Sequence, residues 1–150
     1  MLRLLLDTNI VLDCLVFRDP TARSLWAAVE SKGVELLSHP LALEELSRVL
    51  AYPQCRLDEE VQLDIWARYA EVTSLIPVPD GFGLESLSLP PGFPGCRDRD
   101  DELFLALAYH SGADALISKD RDILSLRKKA RKFGVKILGP AEVDDLLDSQ

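Results

Sequence analysis

Two aspartates stand just beyond apolar runs of the sequence and are the first candidates for chemistry. Asp7 ends the run of residues 2–6, and Asp120 follows the run of residues 116–118 by two positions. Both runs suit strands that are buried on both faces of a parallel sheet. Ligand sites in such sheets lie beyond the carboxyl ends of the strands. Carboxylates that meet there are suited to hold a hard cation such as Mg²⁺ or Mn²⁺, because these ions prefer oxygen ligands.

Strands and helices alternate along the chain, and this alternation predicts the sheet that would bring the two aspartates together. The predicted strands are residues 2–6, 34–37, 74–76, 114–118 and 135–138, and the predicted helices are residues 10–17, a helix opened by Asp19-Pro20, and residues 38–50, 58–72, 101–110, 121–132 and 140–147. Residues 77–95 hold five prolines and four glycines and are predicted to form a long surface connection. The pattern predicts an α/β fold with a mostly parallel sheet and helices on both faces.

The length and composition limit the class of protein. A chain of 150 residues fits a single domain, residues 1–150, and the 47% hydrophobic and 28% charged fractions are ordinary for a soluble protein. No apolar run approaches the roughly 20 residues of a membrane span, and Asp7 interrupts what would be the core of a signal peptide, so a cytoplasmic protein is expected. The three cysteines contain no C-x-x-C pair, which argues against a disulfide framework and a zinc site.

Four segments combine acidic residues with apolar residues at regular positions. They are Leu6-Asp7-Thr8-Asn9-Ile10, Ser38 with residues 43–50, residues 96–108, and residues 113–124. Together they resemble the four motifs of the PIN domain family, in the family's order, and the match spans residues 2–138. The branch that they resemble most comprises bacterial and archaeal PIN proteins that are described as toxin components of toxin–antitoxin pairs.

The resemblance implies a three-layer α/β/α sandwich with a central, mostly parallel sheet, and it implies a set of site residues. The four acids that correspond to the family's catalytic and metal-binding positions are Asp7, Glu45, Asp101 and Asp120. Glu45 is preferred to Glu44 because the family's acid directly precedes a leucine. Asp101 is preferred to Asp98 and Asp100 because apolar residues follow it at three and four positions. The auxiliary polar residues implied in the same way are Asn9, Ser118 and Asp122.

The activity that the resemblance implies is that of a Mg²⁺- or Mn²⁺-dependent endoribonuclease. One or two hard cations can activate water, neutralise charge on the transition state and stabilise the leaving oxygen. Four carboxylates held close together would repel one another in the absence of a cation, so such a cluster suits a metal site. The implied partners are an RNA substrate and a small antitoxin protein, with a homodimer as the expected assembly and no membrane association.

Two other functions remain open at this point. The chain could be a catalytically silent PIN-fold module for RNA binding or interaction, although all four acids are present. It could also be an aspartate-based phosphotransferase, but such phosphatases carry D-x-D after the first strand, where this chain has Asp7-Thr8-Asn9. Each acid also has a structural interpretation: a helix cap for Asp7, a solvated helix residue for Glu45, a first-turn acid for Asp101 and a turn former for Asp120.

The distribution of charge matters more than the net charge of −8. Phosphates repel an acidic protein, but residues 119–136 contain eight basic residues and only two acidic ones. The run that we call the basic segment consists of Arg127, Lys128, Lys129, Arg131 and Lys132. It is predicted to contact RNA, with an ordinary solvated helix face as the alternative.

Overall fold

Five parallel strands form the centre of the protein. The structure, a computed structural model, describes residues 1–76, 88–95 and 98–149. The strands are β1 (Leu2–Leu6), β2 (Val34–Ser38), β3 (Thr73–Leu75), β4 (Ala115–Ile117) and β5 (Ile137–Leu138), in the order β3-β2-β1-β4-β5. Every pairing among them is parallel, which confirms the predicted α/β class and the parallel sheet.

Helices cover both faces of the sheet. They are α1 (Thr8–Leu15), α2 (Arg23–Glu30), α3 (Pro40–Leu50), α4 (Glu59–Val72), α5 (Arg99–Ser111), α6 (Arg121–Leu124), α7 (Arg127–Arg131) and α8 (Pro140–Asp148), with short 3-10 helices at Pro20–Ala22 and Pro53–Cys55. Successive side chains of a strand point to opposite faces, so Leu4 and Leu6 join a core with α1 and α2, whereas Leu5 joins a second core with α5. The result is the expected three-layer α/β/α sandwich.

The strand register determines which residues meet at the carboxyl edge of the sheet. Leu5 pairs with Leu116 and Leu6 with Ile117, and the Asp7 N–H donates to the Ile117 carbonyl at 2.9 Å. Asp7 therefore begins α1 directly beside the end of β4. Strand β2 ends at the same edge and leads through His39 into α3. The first helix after each of these strands thus starts at one edge, where the candidate acids lie.

One predicted helix is divided in the structure. The sequence predicts a single helix over residues 121–132, but α6 ends at Leu124 and α7 begins at Arg127. The Ser125 hydroxyl donates to the Asp122 carbonyl at 2.7 Å, a local bond that competes with the regular helical pattern. The division lets Ile123 and Ala130 both be fully buried.

The connections between elements depart in part from the sequence-based expectation. The helix predicted to open at Asp19-Pro20 begins as a 3-10 turn, and α2 starts only at Arg23. Of the predicted surface connection, residues 88–95 contain neither helix nor strand, while residues 77–87 lie outside the described residues. Within the described part of the chain, none of the helices combines the length and the apolar character needed to cross a bilayer.

Candidate metal-binding active site

Most of the buried polar residues of the described chain lie around the carboxyl edge of the sheet. The four candidate acids come from four different elements, and three of them, Asp7, Glu45 and Asp101, are only 6–7% exposed. Asp101, Asp120 and Asp122 each offer a carboxylate oxygen, and these three oxygens lie within 4.8 Å of one another. The fold thus brings acids from distant parts of the sequence, from Asp7 to Asp122, to one edge of the sheet.

The Asp7 side chain is directed to the site rather than used as a helix cap. Its backbone carbonyl accepts from the N–H groups of Ile10 and Val11 at the start of α1, but its carboxylate makes no capping hydrogen bond. Instead, Oδ2 accepts from the Ser118 hydroxyl at 2.7 Å and from the Asn9 amide at 3.3 Å. Two of the three predicted auxiliary residues, Asn9 and Ser118, therefore bind the Asp7 carboxylate.

The environment of Asp7 disfavours its charged form. Burial raises the pKa of the Asp7 carboxyl to about 6, and the hydrogen bond from Ser118 only partly offsets this effect. The neighbouring carboxylates of Asp120 and Asp98 raise the pKa further. An acid that is buried beside other acids is costly to ionise unless a cation is present.

Glu45 lies on the buried face of α3, whereas Glu44 points to solvent. The Thr8 hydroxyl donates to Glu45 Oε2 at 2.5 Å, which joins the second motif to the first. Burial raises the pKa of Glu45 to about 7, and the nearby Asp100 and Asp7 carboxylates act in the same direction. The burial and the bond from Thr8 separate Glu45 from an ordinary solvated helix residue.

Burial distinguishes the three aspartates at the start of α5, Asp98, Asp100 and Asp101. Asp98 is exposed and accepts from the Asp100 N–H at 2.9 Å as the N-cap of α5. Asp100 is also exposed and contacts Arg48 of α3 at 3.5 Å. Asp101 is 7% exposed and joins the group with Asp120 and Asp122. Asp98 and Asp100 therefore shape the rim of the site, and Asp101 is the one of the three that lies inside it.

Asp120 combines a structural role with a place in the acidic group. Its Oδ1 accepts from the Asp122 N–H at 2.8 Å and caps α6, as a turn-forming aspartate does. Its own N–H donates to the Ser118 hydroxyl oxygen at 3.0 Å. Since the same Ser118 hydroxyl donates to Asp7, one side chain links the two acids that follow the strands β1 and β4.

The chemistry of these groups fits a hard divalent cation. The donors at the site are carboxylate, hydroxyl and amide oxygens, which are the ligands that Mg²⁺ and Mn²⁺ prefer. The buried Asn9 Oδ1 has no hydrogen-bond partner, although the Asn9 Nδ2 contacts Asp7. Buried polar atoms are normally satisfied, so this oxygen has an unused capacity to accept a hydrogen bond or to bind a cation.

Three interactions near the site have no counterpart among the residues singled out in the sequence. Thr8 is the hydrogen-bond donor to Glu45, Arg48 contacts Asp100, and Lys119 binds Asp13 with its Nζ at 2.9 Å from each carboxylate oxygen. Thr8 lies between two motif residues and could have been found by its position. The other two pairs join distant elements and leave no local signal.

The basic segment divides into one paired and four exposed residues. Arg127 donates to both carboxylate oxygens of Glu142 in α8, at 3.2 and 2.5 Å. The exposed members are Lys128, Lys129, Arg131 and Lys132, and no ion pair found among the described residues engages them. Arg127 therefore has a structural partner, while the other four cations face solvent.

Comparison with known proteins gives the same grouping as the motifs. The family model of the PIN domain matches residues 3–122, which include all four candidate acids. The chain is also similar to the Uncharacterized protein MJ1680 of Methanocaldococcus jannaschii, with 24% identity over 149 residues that cover 94% of this chain and 88% of that protein. PIN domains are typically nucleases that use divalent metals. With the family model covering most of its length and the acidic site at the expected edge of the sheet, this chain belongs to the PIN domain family.

Proposed function

We propose that the protein is a divalent-metal-dependent endoribonuclease that hydrolyses phosphodiester bonds in RNA. The observation that carries the proposal is the close group of Asp101, Asp120 and Asp122, with the buried Asp7 near Asp120 and the buried Glu45 near Asp7. Burying several acids side by side destabilises a protein that has no use for them. A silent PIN-fold module would not need this arrangement, so the geometry favours a working site.

The proposed roles follow from the positions of the side chains. Asp101 and Asp120 would hold Mg²⁺ or Mn²⁺, with Asp122 at the exposed side and Asp7 and Glu45 at the buried side. A bound cation of this kind supplies an activated water and neutralises the charge that develops on the phosphate. Ser118 and Asn9 orient the Asp7 carboxylate, and Thr8 orients that of Glu45.

Lys119 bears on the alternative of an aspartate-based phosphotransferase. That mechanism uses a lysine at a strand end close to the phosphorylated aspartate, and Lys119 follows β4. Its ammonium, however, is bound to both oxygens of Asp13 rather than to Asp7. This contact, together with the missing D-x-D, favours hydrolysis through a metal site over phosphate transfer to Asp7.

We further propose that the protein acts in the cytoplasm as the toxin of a toxin–antitoxin pair, restrained by a small antitoxin, and that it forms a homodimer. The support for these roles is the resemblance of its four motifs to that branch of the family. The open position of Asp120 and Asp122 at the sheet edge suits a site that another macromolecule can cover.

RNA cleavage is expected to require Mg²⁺ or Mn²⁺, because a cation neutralises the charge that develops on the phosphate, which anionic carboxylates would repel. Purified protein would be incubated with a mixed single-stranded RNA pool, with Mn²⁺ and with excess EDTA, and the products separated on a denaturing gel. Cleavage should disappear in EDTA and return when Mn²⁺ is added in excess. Water is the nucleophile and the 3′ oxygen is the leaving group in the proposed reaction, so the products should carry a 5′-phosphate and a 3′-hydroxyl. Cleavage that persists in EDTA, or products with 2′,3′-cyclic phosphates, would contradict the proposed mechanism.

The four exposed cations of the basic segment are expected to bind the RNA backbone. Lys128→Gln with Lys129→Gln, and Arg131→Gln with Lys132→Gln, should each weaken binding to single-stranded RNA, mainly at moderate salt. The slope of log affinity against log salt should fall by about 0.7 for each phosphate that the protein no longer neutralises. Arg127 is left unchanged because it holds Glu142.

The matched control for the basic segment is Arg23→Gln with Lys32→Gln, which removes two exposed charges on and just after α2. Affinity would be measured by fluorescence anisotropy at several salt concentrations with the metal replaced by Ca²⁺ to prevent turnover. If the control and the segment variants shift the salt slope equally, the segment has no special role and is an ordinary solvated face.

A further inference from the structure

An ion pair beside the acidic site takes no direct part in the proposed reaction. The Lys119 ammonium lies 2.9 Å from both oxygens of Asp13, which is itself only 3% exposed. The Lys119 side chain remains 47% exposed. A buried carboxylate requires a partner, and here a single lysine from a different element supplies it.

The two residues belong to the segments that carry the site. Lys119 lies between Ser118 and Asp120, and Asp13 lies on α1, whose first turn follows Asp7. Ser118 binds Asp7 with its hydroxyl, and Asp120 caps α6. All three side chains of residues 118–120 are therefore anchored, and two of the three anchors are on the Asp7–α1 segment.

Two anchors hold the loop in one orientation where a single one would allow it to pivot. Asp7 and Asp13 are six residues apart, which is about 9 Å along a helix. The Ser118–Asp7 bond attaches the β4–α6 loop near the start of α1, and the Lys119–Asp13 pair attaches it further along the same helix. With both in place, the direction of the β4–α6 loop relative to α1 is defined, and with it the position of the Asp120 carboxylate.

Stability alone is a poor explanation for such a pair. Exchanging a buried ion pair for well-packed apolar residues of similar size is often neutral for stability or stabilising, because the desolvation of the charges offsets their attraction. The charges do fix the position of the Lys119 side chain, since an ammonium bound by both oxygens of a carboxylate has one favourable position. Groups that orient metal ligands without touching the metal commonly control metal affinity.

We propose that Asp13 and Lys119 are positioning residues that set the Asp120 carboxylate in the geometry needed to bind the divalent cation. The inference rests on the proposed function, because it assigns a purpose to the metal site. It adds two residues that are not among the four acids of the motifs and that act through the position of Asp120.

The test compares metal affinity, catalysis and stability in a set of variants. Asp13→Asn with Lys119→Gln removes both charges at similar size, Lys119→Gln alone changes the half-exposed partner, and Lys119→Arg keeps the charge and the two-point contact. The control is Arg68→Gln with Glu30→Gln, which removes the exposed 3.2 Å ion pair between α4 and α2, two helices that carry none of the four candidate acids. Mn²⁺ dissociation constants would be measured by electron paramagnetic resonance of free Mn²⁺, alongside kcat and KM for a short RNA and thermal melts.

The expected result is a loss of Mn²⁺ affinity on the order of 10- to 100-fold in the double variant and in Lys119→Gln, as for other groups that orient metal ligands. The kcat at limiting metal should fall with it, while the KM for RNA changes little. Lys119→Arg and the Arg68–Glu30 control should bind Mn²⁺ like the parent. The double variant should lose no more affinity than Lys119→Gln alone, because the two residues act as a unit.

Other outcomes overturn the inference. A lower melting temperature with unchanged Mn²⁺ affinity would show that the pair stabilises the fold and does not position a metal ligand. A raised KM and altered salt slope with unchanged Mn²⁺ affinity would make Lys119 a contact to the RNA. Lys119→Gln alone leaves the buried Asp13 carboxylate without its partner, so if that variant does not fold, the outcome for the double variant decides. A parent protein that binds no Mn²⁺ would refute the proposed function itself, which separates that failure from a failure of this inference.

Discussion

Asp101→Asn is expected to reduce RNA cleavage to background while leaving the metal-free protein as stable as the parent or more so. The change keeps the shape of the side chain and removes one of the charges in the Asp101, Asp120 and Asp122 group. Relief of like-charge repulsion should raise the free energy of unfolding in EDTA by about 1 kcal/mol. The removal of a metal ligand should lower cleavage by at least about a hundredfold, since the removal of residues that merely orient ligands already costs 10- to 100-fold.

The measurement for Asp101→Asn pairs a thermal melt with an RNA cleavage assay. Mn²⁺ stabilises the parent by binding only the folded state, and this increase should be smaller in the variant. Asp120→Asn should behave similarly, although it also weakens the cap of α6. Glu44→Gln is the control, because Glu44 is exposed on the same helix as Glu45 and should be nearly silent in both assays.

The same variant tests the proposed toxin role in cells. Expression of the parent should arrest growth, and expression of Asp101→Asn should not.

If Asp101→Asn destabilises the metal-free fold by several kcal/mol while cleavage and the response to Mn²⁺ survive, Asp101 is a structural residue and the site assignment fails.

The stability of the metal-free protein is expected to fall as the pH rises from about 4 to about 7, through the contributions of Asp7 and Glu45. Folding raises the pKa of Asp7 from 3.8 to about 6 and that of Glu45 from 4.5 to about 7, mainly through burial. The folded state therefore binds these protons more tightly than the unfolded chain. Their stabilising contribution is complete at acidic pH and is lost as the pH rises through the folded-state values.

Asp7→Asn isolates this contribution. The difference between the folded and unfolded pKa of Asp7 corresponds to about 3 kcal/mol, at roughly 1.4 kcal/mol per pH unit. The variant should match the parent near about pH 4 and exceed its unfolding free energy by up to about 3 kcal/mol near about pH 7.5 in EDTA. Glu45→Gln should show the same trend at slightly higher pH, and the two effects should not simply add, since the two acids interact.

Urea titrations of the parent, Asp7→Asn, Glu45→Gln and the Glu44→Gln control across this pH range check the expectation. Saturating Mn²⁺ should reduce the advantage of Asp7→Asn at neutral pH, because the cation restores the stability that the charged acid removes. A parent and Asp7→Asn that differ by the same amount at every pH would show that the Asp7 carboxyl titrates normally in the fold and that its burial does not disfavour the charge.

The sequence by itself determined the class of fold and indicated four candidate acids for the site. Alternating apolar runs and amphipathic helices of the right lengths imply a covered parallel sheet, because each pattern has its own period and needs its own partner surface. Asp7 and Asp120 could be recognised because the sheet edge is determined by where strands end. The choices of Glu45 over Glu44 and of Asp101 over Asp98 depend on the apolar residues that follow them, and the observed burial agrees with both.

Only the tertiary structure decided how the acids are held and which neighbours they have. The bonds from Ser118 to Asp7 and from Thr8 to Glu45, and the pair of Lys119 with Asp13, join residues 37 to 111 positions apart. The division of residues 121–132 into α6 and α7, and the pairing of Arg127 with Glu142, likewise depend on packing against other elements. Local sequence patterns record the period and polarity of one segment, whereas a contact between two segments depends on the register and direction of both, which are set only when the sheet and its helices pack together.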